Sequence, residues 1–228
     1  MFLFKKDSGF TLIELLVTVG IFVFMTALVV ANYGSFNDGT LLTSMSYDVA
    51  LAMRGAQSYG LNVKGATSGT SQNFNYPYGM DFNLSTPSTQ SQMILFADSY
   101  PYLNNVYGDG ICTDGTNGNN NYCKPKQNAA DAVITTYTLA RGGLVKSFCV
   151  GPSESNCSTP NNAVNLDITF RRPDPNAIIE VRDNGGHVMN NGSVNTWPYA
   201  KITVENASKT STRSIVVNET GLIAVQNQ

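Results

Sequence analysis

The sequence predicts an α+β protein, a long N-terminal helix packed on a mainly antiparallel β-sheet globular domain. Three observations carry that reading. Residues 10–31 form an apolar run broken by one carboxylate, Glu14, and as a helix they match roughly 30 Å of hydrocarbon. Apolar side chains then recur at three- or four-residue spacing, at Leu42, Met45, Val49, Met53 and Ala56, the signature of a helix with one buried face. Beyond about residue 74 the pattern changes to alternation between glycine-, proline- and asparagine-rich breaks, which is the signature of strands and turns.

Ahead of the apolar run lie Lys5 and Lys6, a bias that keeps the start of the chain cytoplasmic and exports the remainder. An ordinary secretory signal carries its small-residue cleavage site after the apolar segment. Here the small residue, Gly9, precedes it. The stretch Lys5-Lys6-Asp7-Ser8-Gly9-Phe10-Thr11-Leu12-Ile13-Glu14-Leu15-Leu16-Val17 closely resembles the class III signal of type IV pilins and of the pseudopilins of type II secretion.

That resemblance implies a pilin-like fold and cleavage by a prepilin peptidase between Gly9 and Phe10. It also implies N-methylation of Phe10 and an assembly role for Glu14, whose carboxylate meets the amino terminus of a neighbouring subunit. A carboxylate in lipid is costly unless partnered, which makes Glu14 a functional position on physical grounds as well. The implied partners are other pilin or pseudopilin subunits, the prepilin peptidase, an inner-membrane assembly platform and, before assembly, membrane lipid. The expected organisation is a leader over 1–9, a transmembrane and filament-core helix over 10–31, an amphipathic stem over 32–60 and an exported strand-rich domain over 61–228.

One helix is expected from about Phe10 to Tyr59, with weak points at Gly20 and Gly34, since glycine lowers helix propensity, its likeliest bend at 34–39, and Gly60 and Asn62 as its stop. Asp38, Ser46, Asp48 and Arg54 supply its polar side. The stretch Asp48-Val49-Ala50-Leu51-Ala52-Met53-Arg54-Gly55-Ala56-Gln57-Ser58-Tyr59-Gly60-Leu61-Asn62-Val63 resembles the stem of the H-type minor pseudopilins and related minor pilins. Those proteins often show an Ala-Arg pair followed by Glu-Ala. Here Met53 precedes Arg54 and Gln57 follows Ala56.

In the middle of the chain, residues 64–75 read as a loop or a hairpin with a broad turn. Phe74, Tyr76, Tyr78, Met80, Phe82 and Leu84 alternate as a strand that Pro77 interrupts or confines to an edge. Strands follow at 93–97 and 133–139. The aromatic run at 100–107 reads as cover for the domain. Residues 109–123 form a glycine- and asparagine-rich loop in which Asp109, Asp114 and Asn117, with Asp98 upstream, present hard oxygen donors. Calcium is the candidate cofactor there, set against a metal-free loop closed by a disulfide; the EF-hand spacing is absent.

The distal half has the clearest strand pattern, at 144–150, 165–171, 176–182, 199–205, 213–218 and 222–225, with a turn at Gly221. The last three resemble the C-terminal strands of the H-type pseudopilins. The four cysteines, Cys112, Cys123, Cys149 and Cys157, suit an oxidising exterior. Local pairing of the first two and the last two is preferred among three connectivities.

Without the leader the chain keeps 12 basic and 15 acidic residues, since Lys5, Lys6 and Asp7 leave a starting 14 and 16. A net charge of −3 excludes a strongly basic nucleic-acid binder, so DNA or a surface ligand has no support beyond a small patch at Arg171 and Arg172 with Lys146 and Arg141. The one histidine, His187, sits in a turn-like Asn-Gly-Gly-His setting without a catalytic motif. The expected function is therefore structural rather than enzymatic. A minor subunit of a type IV pilus or type II secretion pseudopilus comes first, with a divergent major pilin or a membrane-anchored adhesin or DNA-uptake module as alternatives.

Overall fold

The computed structural model describes residues 9–62, 65–68, 71–73, 76–98, 132–185, 188–189 and 196–226. The chain divides into two compact units, Met1–Thr40 and Leu41–Gln228, although one helix, α1 (Leu12–Leu61), supplies both. Within the first unit, every described side chain from Gly9 to Ala31 is exposed. Leu12–Ala31 is long and apolar enough to cross a membrane, and none of it is buried. Its polar hydroxyls fold inward. Thr18 donates to the Leu15 carbonyl at 2.9 Å and Thr26 to the Phe22 carbonyl, which satisfies both without solvent. The helix runs unbroken through 34–39, the stretch expected as its likeliest bend.

In the second unit the helix buries the predicted stripe. Leu42 and Met45 are 3% and 4% exposed, and Val49, Met53 and Ala56 are fully buried. Ser46, read from the sequence as part of the polar side, is also fully buried. Its hydroxyl donates to the Thr43 carbonyl at 2.7 Å, so it needs no partner outside the helix. The end of the helix differs from expectation in one respect. Gly60 is helical and packs so closely on Phe170 that an added Cβ would collide with that residue's backbone, so its role is close approach. Asn62 closes the helix, its backbone N–H and its side-chain amide both donating to the Ser58 carbonyl. Tyr59 then sets its ring edge-on to Tyr78, with centroids 5.8 Å apart.

Among the described residues the strands form three antiparallel sheets. A hairpin pairs β1 (Ala66–Ser68) with β2 (Ser71–Asn73). A six-stranded sheet has the order β5-β4-β3-β7-β8-β9, where β3 is Tyr78–Asn83, β4 Gln92–Ala97, β5 Ala132–Thr138, β7 Ala163–Arg171, β8 Asp174–Asp183 and β9 Val188–Met189. A four-stranded sheet has the order β12-β11-β10-β6, where β6 is Leu144–Gly151, β10 Tyr199–Glu205, β11 Thr212–Asn218 and β12 Ile223–Gln226. Pro77 stands just before β3, where it removes no ladder hydrogen bond. A short helix, α2 (Pro87–Gln90), links β3 to β4. The sequence reading missed it, although Thr86 and Thr89 make a reciprocal capping box around Pro87.

Alternation along β3, β7 and β8 puts Met80, Phe82, Leu166, Ile168, Ile179 and Val181 into one apolar cluster with the α1 stripe. Phe148, Ile202, Val204 and Ile215 of the four-stranded sheet join the same cluster. One core thus serves the stem and both large sheets.

Candidate assembly site

The site is built at the first turn of α1. Thr11 stands just before the helix and Glu14 three residues on. The Thr11 hydroxyl oxygen accepts the Glu14 N–H at 3.3 Å. The Glu14 carboxylate in turn accepts the Thr11 N–H at 3.0 Å and the Thr11 hydroxyl at 2.8 Å. This reciprocal pair caps two otherwise orphaned backbone donors. It also holds the carboxylate at the positive end of the helix dipole, pointed back along the chain toward Phe10. The carboxylate is exposed, and so is the ring of Phe10 at 75%. Apart from its two chain neighbours, no described residue places a heavy atom within 4 Å of the position a Cβ would take on Gly9.

Chemically, this is an anionic acceptor at the head of an apolar rod, ready for a cation delivered to the same level. Sequence reasoning singled out Glu14 but not Thr11. The signal was present, because Thr-x-x-Glu directly before an apolar run is the capping-box pattern.

On the stem, Arg54 and Gln57 face their own domain. The Arg54 guanidinium donates to the Ile223 carbonyl at 3.1 Å, so a residue read as part of a solvated face ties the helix to β12. The Gln57 amide donates to the carbonyls of Pro175 at 3.2 Å and Gly221 at 3.0 Å. Gly221 has a φ of +80° and no space for a Cβ against Pro175, which accounts for glycine at that turn. Lys146 is paired with Glu205 at 3.2 Å, which removes it from the cation patch suggested around Arg171.

Cys149 and Cys157 are joined, with Cα atoms 5.4 Å apart. The bond closes the turn after β6, beside the isolated bridge between Val150 and Ser158. Cys112 and Cys123 lie outside the described residues, as do Asp109, Asp114, Asn117, His187 and the aromatic run at 100–107. Of the four candidate calcium ligands only Asp98 is described, and it is fully buried. Among the described residues there is no group of three His, Cys, Asp or Glu side chains able to hold a metal.

The prokaryotic N-terminal methylation motif matches the chain at residues 4–30. That motif is diagnostic of the prepilins of the type IV pilin and pseudopilin family, and the long apolar helix with its antiparallel sheet domain is the corresponding architecture. The match covers the N-terminal segment alone and supports a prepilin-type structural role in which the N-terminal helix serves membrane insertion and polymerisation. No curated protein and no solved structure matches the chain.

Proposed function

We propose that the chain is a minor subunit of a type IV pilus or type II secretion pseudopilus. It enters the inner or cytoplasmic membrane as a prepilin with its leader inside, is cut between Gly9 and Phe10, and is N-methylated on Phe10. Residues 10–31 then leave lipid for the core of a filament, a transfer that keeps their apolar surface out of water. Glu14 receives the amino terminus of a neighbouring subunit, which neutralises a charge that would otherwise be costly in an apolar setting. The single observation that supports this reading most is the coincidence of a glycine directly before the apolar run, a capped Glu14 and an apolar helix exposed from Leu12 to Ala31. Minor status rests on the likeness of the stem and the last three strands to the H-type subunits.

The test is the mass of the mature protein. The chain is expected to begin at N-methyl-phenylalanine, and Gly9→Val is expected to leave almost all of it as full-length, unassembled precursor. Normal cleavage of the variant, or cleavage at another bond, would refute the site. Surface filaments from matched wild-type and deletion cells decide the subunit's rank. A minor subunit is a trace component of the filaments, whereas a major one is their bulk.

A further inference from the structure

On the face of the six-stranded sheet opposite the apolar cluster, three acids stand in one row. Asp81 of β3 is the register partner of Asp167 of β7, and Asp167 is the partner of Glu180 of β8. They are 2%, 0% and 6% exposed. Arg182, two residues beyond Glu180, is the cation of the group and is 6% exposed. Its Nε donates to Asp167 Oδ2 at 2.9 Å and its Nη2 to Asp167 Oδ1 at 3.4 Å, while Nη2 stands 3.6 Å from Asp81 Oδ1. Asn165 donates its amide to Asp81 Oδ1 at 3.0 Å.

Arg182 Nη2 thus stands close to an oxygen of both the Asp81 and the Asp167 carboxyl. Two buried carboxylates facing one guanidinium do not both stay ionised, because the second charge is left uncompensated away from water, so one of them holds a proton. Arg182 gives its closer contacts to Asp167, which fixes the negative charge there and leaves the proton on Asp81. Burial, and then the neighbouring Asp167 charge, push the Asp81 carboxyl up to about 8, against the pull of Arg182. A cavity of about 300 Å³ lined by Asp81, Asn165, Arg182, Asp183, Gln92 and Thr89 reaches the Asp81 side of the pair. The charged groups at this site are Asp167 from β7, Glu180, Arg182 and Asp183 from β8, and Asp81 itself. Gln92 and Ile94 of β4 and Thr89 of α2 are uncharged.

We propose that Asp81 and Asp167 share one proton that fastens β3 to β7, so that the globular domain loosens when its surroundings turn alkaline. The folded pair holds this proton where the unfolded chain, with an ordinary aspartate, has lost it. Its stabilisation is therefore complete below about pH 4 and declines as the pH rises toward 8.

The experiment compares the full chain in detergent micelles with its Asp81→Asn variant, both carrying Glu14→Gln so that the anchor's carboxyl is silent. The infrared difference spectrum at pH 6.5 is expected to show a protonated carboxylic-acid C=O band that Asp81→Asn removes. The Tm of the parent should fall relative to the variant by about 3–5 °C per pH unit between pH 5 and 8. Parallel Tm curves with no band lost would overturn the proposal. If Asp81→Asn does not fold, Asp167→Asn is the second variant, and survival of the whole acid band in it would count equally against a shared proton.

Discussion

The two parts of α1 share a backbone and differ in everything their side chains face. Residues 12–31 are apolar all round and exposed, whereas from Leu42 to Ala56 the helix buries one stripe in a core shared with both large sheets. A helix that is apolar on all sides fits a surrounding that is itself apolar, such as lipid or other helices. One with a single apolar stripe can find its complement in its own chain. The first part therefore contributes to assembly and little to folding, and the second part does the reverse.

Deleting a stem contact should have the largest effect on folding. Met53→Ala is expected to lower the stability of the full chain in micelles by about 2–5 kcal/mol, read from thermal or denaturant unfolding, while Leu16→Ala leaves it unchanged. Equal losses from the two would erase the distinction drawn between the segments. Glu14→Ala should act on the other arm. We expect filament incorporation to fall at least about tenfold, equivalent to ~1.4 kcal/mol of lost pairing, with membrane insertion and Tm little altered; undiminished incorporation would remove Glu14 from assembly. The smallest effect belongs to Gln57→Ala, which removes two hydrogen bonds from a half-buried amide and should cost about 1–2 kcal/mol. If it instead impaired incorporation without changing Tm, the stem would face other subunits rather than its own domain.

The stem stripe was legible because five apolar residues at helical spacing leave no other face to bury. The strands were legible for the same reason at a period of two. The alternation at Tyr78, Met80 and Phe82, and at Leu166, Ile168 and Phe170, assigns one side of each strand to the core. What periodicity does not encode is which strands pair, so the division into a six-stranded and a four-stranded sheet could not be read. It also treats the opposite side of a strand as wet. Asp81 and Asp167 occupy that side and are nonetheless buried, because Asn165 and Arg182, carried by the neighbouring strands, meet them there. Ser46 escaped for a local version of the same reason, its hydroxyl being satisfied by its own helix. At the assembly site Glu14 stood out as a lone charge, while Thr11 was passed over as one more small polar residue. Only its reciprocal bond with Glu14 gives it a role.

Arg54 and Gln57 clamp the stem to the domain by donating to the main-chain carbonyls of Ile223, Pro175 and Gly221. A peptide oxygen is the same whichever amino acid bears it. The outward side chains around those three positions are thus at liberty to drift over generations, changing the face shown to the environment, while the grip on the rod beneath stays as it is.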